Sequence, residues 1–111
     1  MTGAPSRAFA QAFLAADAAA RVALIEARLA EALAPVVSIE VGDDSAQHAG
    51  HAGAASGGHY SVVVVAPAFA GASRVARHRM VYDALAEAMQ SGIHALAITA
   101  LTPEETASLH R

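Results

Sequence analysis

Four consecutive valines, Val62 to Val65, stand in the middle of the segment HYSVVVVA at residues 59–66. β-Branched side chains lose rotamer freedom in a helix and pack well on a pleated surface, so this segment reads as a strand. A continuous apolar run without polar alternation belongs at the centre of a sheet or under cover on both faces. Burying each valine contributes on the order of 1.5–3 kcal/mol. The rest of the chain must therefore supply strands to flank this segment and helices to cover it.

Two further segments have strand character. In VVSIEVG (36–42), Val37, Ile39 and Val41 alternate with Ser38 and Glu40, the period of a strand with one buried face. IHALAITAL (93–101) is the third strand, with His94 on the same face as Leu96 and Ile98 and with Ile93, Ala95 and Ala97 on the other.

Helices account for most of the remainder. From Ser6 to Ala34 there is no Gly or Pro, and Ala, Leu, Glu and Arg predominate. Asp17 is placed to cap a main helix carrying Val22, Ile25, Leu29 and Leu33, preceded by a shorter one with Phe9, Phe13 and Leu14. Pro35 ends it. Residues 73–91 return to the helical period, with His78, Val81, Leu85 and Met89 on one stripe and Arg79, Asp83 and Glu87 opposite. Gly92 closes that helix, and Thr102 followed by Pro103, Glu104 and Glu105 opens a short last one.

The order αββαβα predicts an α/β (more closely α+β) domain, a three-stranded mixed sheet with helices packed on one face. Its strand–helix–strand passage should be a right-handed parallel crossover. Residues 1–16 read as an N-terminal extension, helical or partly disordered, ahead of a domain at 17–111. At 111 residues with 55% hydrophobic and 15% charged side chains, the chain can bury one core of its own. No apolar run approaches bilayer length, and MTGAPSRAFAQAFLA is too weak a pattern for a signal peptide, so a cytoplasmic protein without a membrane span is expected.

The formal charge of −3 gives no overall attraction to phosphate backbones, and nucleic-acid binding would need a local basic patch. Arg74, Arg77 and Arg79 could form one near a helix N-terminus. The structural alternative pairs Arg79 with Asp83, leaves Arg77 in solvent and packs His78 into the core stripe. There is no nucleophile elbow, zinc-protease motif, Walker loop or flanked carboxylate pair, and an enzyme is not indicated.

The polar and small residues 43–58, DDSAQHAGHAGAASGG, form a loop long enough to have a job. His48, His51 and His59 follow the pattern H-x2-H-x7-H, which could take zinc, copper or nickel but lacks the fixed geometry of strong metal motifs. The alternative has His59 anchoring the second strand and the other two in solvent. His94 reads as a structural histidine or, at the sheet rim, as a ligand. With no cysteine in the chain, any thiolate at a metal must come from another molecule.

Together, DDS (43–45), HAGHAG (48–53), GHYSVVVV (58–65), FAG (69–71), RHRMVY (77–82), IHALAI (93–98) and LTPEE (101–105) resemble the BolA family over residues 20–105. Tyr60 stands where that family commonly has Phe, and FAG replaces FTG or FEG. The resemblance implies a class II KH-like topology. It also implies a monothiol glutaredoxin partner, with a bridged 2Fe-2S cluster shared among this chain, the glutaredoxin and its glutathione, and no cofactor in the isolated chain. The implied ligands are His94 and a loop histidine, His48 or alternatively His51. Some members are described as DNA-binding regulators of stress response and cell shape, which makes DNA a second expected partner through Arg74, Arg77 and Arg79. Alone, the chain is expected to be a monomer or a weak homodimer. Ligation needs neutral imidazole, so cluster binding should weaken as pH falls through about 6.5.

Overall fold

A computed structural model describes residues 4–44 and 58–109. Its elements are α1 (Ala4–Ala15), α2 (Ala18–Ala32), β1 (Ser38–Asp43), β2 (Gly58–Val65), a single 3-10 turn (Pro67–Phe69), α3 (Arg74–Ala84), α4 (Ala86–Ser91), β3 (Ile93–Leu101) and α5 (Pro103–Leu109). The valine-rich β2 is the middle strand of three, antiparallel to β1 and parallel to β3. The mixed sheet and the parallel pairing of β2 with β3 are those expected from the element order.

Register fixes what each face carries. Val62 and Val64 are buried, and they stand opposite Val41 and Ile39 on β1 and opposite Ile98 and Ala100 on β3. Against this face pack Ile25 and Leu29 of α2, Val81 of α3, Leu85 and Phe69, all at 0% exposure. The opposite face carries half-buried Ser61 and Val63 beside exposed Glu40, Ala97 and Thr99. Among the described residues, helices thus cover one side only. The valine run reflects a central position, not cover on both faces.

The caps act where the sequence places them. Asp17 accepts from the Ala20 N–H at 2.9 Å and divides α1 from α2. Residues 73–91, which read as one helix, are two: the Leu85 N–H is shared between the Val81 and Tyr82 carbonyls at 3.2 Å each. That i→i+3 bond tightens the last turn of α3, and α4 starts anew while Leu85 stays in the core.

Helix α1 is tied into the domain by Phe9, half-buried against the core with Arg28 over its ring, and above all by Phe13 and Arg21. Phe13 is fully buried, meets Tyr60 edge-on at 6.2 Å between ring centroids, and fills the space beside Gly92, where an added Cβ would lie 2.5 Å from its ring. Arg21 donates to the Phe13 and Leu14 carbonyls at 2.9 Å each, satisfying the end of α1, and lies 5.2 Å from the centre of the Phe13 ring.

Phe13→Ala should therefore destabilise the whole domain by about 3–5 kcal/mol. Urea unfolding monitored by far-UV circular dichroism measures this, and an unchanged midpoint would mean that the Phe13 ring contributes nothing to the core.

Candidate functional site

The end of the sheet where β2 and β3 begin has an irregular register. Gly58 pairs with Ile93 but His59 pairs with Ala95, which leaves His94 as the extra residue of a bulge. A bulge breaks the alternation of faces. Ile93 is 4% exposed and belongs to the core, whereas His94 and Ala95 are both exposed. Strict alternation, which puts His94 with Leu96 and Ile98 and turns Ile93 away from it, is thus incorrect at this point. The bulge carries the imidazole to the surface.

Gly58 permits this arrangement because the Tyr60 ring occupies the space a side chain would need, 2.4 Å from an ideal Cβ. Its N–H donates to the Gly92 carbonyl at 2.9 Å, and the Asp44 N–H donates to the His59 carbonyl at 2.7 Å. His59 is thereby held on the sheet beside the bulge. The rings of His59 and His94 lie 5.3 Å apart, centroid to centroid, inclined by 54°. Beneath them Tyr60 is 3% exposed. Burial raises the pKa of its hydroxyl, Asp43 raises it further, and Arg21 opposes both.

His48 and His51 lie outside the described residues. Among the described residues no group of three or more His, Asp or Glu is arranged to hold a metal ion. The described part of the site is a pair of imidazoles, and its pairing of His59 with His94 is not visible in the sequence, where they stand 35 positions apart.

The three arginines have different surroundings. Arg77 is neither solvated nor open to a phosphate: its side chain is 14% exposed and holds both Glu105 carboxylate oxygens, at 2.7 and 3.1 Å. It also donates to the Ala72 and Ala100 carbonyls at 3.0 Å each, joining the start of α3, the end of β3 and α5. Glu105 in turn accepts from the Thr102 N–H at 2.8 Å, while the Thr102 hydroxyl accepts from the Glu105 N–H at 3.1 Å, a reciprocal cap. Arg74 and Arg79 are exposed, and the ion pairs among the described residues do not include Arg79 with Asp83. His78 is half-buried and, with Arg74, Arg77, Ile98, Ala100 and Leu101, lines a groove of about 800 Å³ between α3, β3 and α5.

The BolA-like protein family matches residues 29–105 of this sequence. The chain belongs to the BolA family. A BOLA1 protein described as chloroplastic, from Arabidopsis thaliana, is 39% identical over 92 residues, covering 79% of this chain. This chain spans only 57% of that relative's length. A protein from Escherichia coli strain K12 named DNA-binding transcriptional regulator BolA is 42% identical over 81 residues, covering 73% of this chain and 74% of its own length. The solved BolA domain of SufE1 from Arabidopsis thaliana superposes with a TM-score of 0.69 at 43% identity, covering 82% of this chain and 99% of that one. The mixed α+β architecture with its three-stranded sheet is therefore a BolA fold.

Within this BolA domain the contact between Arg77 and Glu105 sets a pH dependence. Hydrogen bonds from Arg77, then from the Thr102 backbone, lower the pKa of Glu105 from an ordinary 4.5 to about 2. A depressed carboxyl contributes stability that is complete above the unfolded value and is lost as pH falls through the folded one. Wild-type stability should thus decline between about pH 4.5 and 2. In Arg77→Met the Glu105 carboxyl, followed by NMR titration, should move back towards its ordinary range and the decline should be shallower.

Proposed function

We propose that this BolA-family chain is a non-enzymatic adaptor that binds a monothiol glutaredoxin and shares a bridged 2Fe-2S cluster with it through histidine ligands. The observation that supports this reading is the surface position of His94, raised by the bulge beside the ring of His59 in a chain without cysteine. Imidazole nitrogen is a competent ligand for iron, as in clusters where His replaces Cys on one of two irons. Thiolates must then come from the partner, here the glutaredoxin cysteine and its glutathione.

The chain's own residues have three tasks on this reading. His94 offers a nitrogen at the rim of the sheet. Gly58, Tyr60 and the backbone bonds at His59 and Asp44 fix that rim. The histidines of the following connection, His48 or His51, are the further ligand candidates. Two imidazoles on one iron would raise its potential relative to an all-thiolate cluster. The setting proposed is the cytoplasm. Among the described residues, no helix is long and apolar enough to cross a membrane.

A second reading, DNA binding, is favoured by one specific comparison, the Escherichia coli relative named as a DNA-binding regulator, together with exposed Arg74 and Arg79. Arg77 has no part in it, because its guanidinium is committed to Glu105 and two carbonyls.

Mixing the chain with a monothiol glutaredoxin, iron, sulfide and glutathione should give a coloured heterodimer, and His94→Ala should alter its visible absorption while the far-UV signal persists. An unchanged visible spectrum removes His94 as a ligand. For the second reading, Arg74→Ala and Arg79→Ala should each lower the salt slope of DNA affinity by roughly 1 without affecting cluster assembly. DNA affinity that is undetectable or independent of salt would eliminate that reading.

A further inference from the structure

The outer edge of β3 borders the groove between α3, β3 and α5, at the far end of that strand from His94. Strand β3 pairs with β2 along one side, and among the described residues no strand lies along the other. Two bonds show which way the backbone groups point. The Leu101 carbonyl accepts from the Ala66 N–H, on the β2 side, whereas the Ala100 carbonyl accepts from Arg77 at 3.0 Å, on the outer side. Alternate residues of a strand turn their backbone groups to opposite edges, so the N–H and C=O of Leu96 and Ile98 and the N–H of Ala100 face outwards. Such a row is a template on which an extended chain can add as a further strand.

The walls of the groove select by charge. Arg74 is exposed and His78 half-buried, and both line it, whereas Arg77 and Glu105 neutralise each other at 2.7 Å. Ile98, Ala100 and Leu101 supply apolar wall between these polar groups. We propose that this groove docks an extended peptide segment bearing an acidic side chain, which pairs with the outer edge of β3 and sets its carboxylate against Arg74 and His78. Arg74 is the first residue of the 11-residue helix α3, so the positive end of the helix dipole adds to its charge.

The same features fix where the segment lies. Arg77 holds the Ala100 carbonyl and so closes the open row at that residue, leaving the carbonyls of Leu96 and Ile98 for pairing. The sheet's other edge strand, β1, carries Glu40 and Asp43, which disfavour an acidic segment there. A peptide fits the groove better than a nucleic acid does. Its backbone can satisfy the donors and acceptors of β3 in alternation, and Arg74 with one imidazole, in a chain of net charge −3, is a small footprint for a polyanion.

The test titrates three acetylated hexapeptides, alternating valine with glutamate, glutamine or lysine, into the 15N-labelled full chain. The glutamate peptide should shift the amide signals of Arg74, His78 and residues 96–101 and slow hydrogen exchange at the Ile98 and Ala100 amides. Affinity should fall in the order glutamate, glutamine, lysine. Arg74→Ala should weaken binding of the glutamate peptide by about threefold and leave that of the glutamine peptide unchanged. N-methylation of every second peptide residue should abolish binding in one phase and spare it in the other, because only one set of amides can face β3.

The proposed docking fails if the glutamate peptide moves no signal along β3, if the lysine peptide binds as well, or if neither phase of N-methylation matters. A decamer of deoxythymidine serves as the competing probe. Should it move the same signals at lower concentration than the glutamate peptide, the groove belongs to nucleic acid and the peptide site is overturned.

Discussion

Strand β2 is hydrogen-bonded along both edges, and the slip at its first residue determines what the molecule presents to solvent. A parallel pair in perfect register would carry the alternation of β3 unbroken from Ile93 to Leu101. Either Ile93 would then leave the core or Leu96 and Ile98 would. The bulge at Gly58/His59 resolves this conflict by inserting one residue: Ile93 stays buried at 4% exposure, Leu96 and Ile98 keep the face of Tyr60 and Val62, and His94 is displaced outwards. A polar side chain at that position is the one that bears exposure without cost. Core packing and the placement of a candidate ligand are thus consequences of the same local irregularity.

At the other end of β3, a charged network performs a different task. Arg77 makes four bonds, two to a carboxylate and two to carbonyls, so its guanidinium is nearly saturated. Such a side chain positions α5 against the sheet. The cluster Arg74, Arg77, His78, Arg79 looks uniformly basic along the chain, but only its outer members retain charge directed at solvent. A basic run in a helix advertises a surface to polyanions only to the extent that the fold leaves its members unpaired.

Much of this architecture was legible in the sequence because it is written in local rules. Asp17 and the pair Thr102–Pro103 are capping signals, Pro35 and Gly92 are stops, and the valines of β2 and the alternation at Val37, Ile39 and Val41 are strand signals. What local rules could not supply depends on contacts between distant residues. The Arg77–Glu105 pair spans 28 positions, and the fit of Phe13 against Gly92 makes α1 part of the core although nothing in residues 1–16 indicates a partner for that ring. The break at Leu85 was hidden for a related reason: every residue there favours helix, and the tightened turn follows from where Leu85 must sit. The imidazole pair was missed on the same ground, since a one-residue slip in a parallel ladder has no signature of its own.

The functional reading follows from the asymmetry between the two ends of the sheet. At the α5 end the polar groups answer one another, and Glu105 is satisfied by both Arg77 and Thr102. At the His94 end, the rings of His59 and His94 lie 5.3 Å apart and inclined to one another, and His94 is exposed. Groups that satisfy each other stabilise a fold, whereas an exposed imidazole raised on a bulge is accessible to a group from outside the chain. On the proposed adaptor reading that group is a metal centre carried by a thiol-bearing partner, for which imidazole nitrogen is a competent ligand. On the adaptor reading proposed above, a chain without cysteine would hold such a centre by nitrogen and leave the thiolates to its partner.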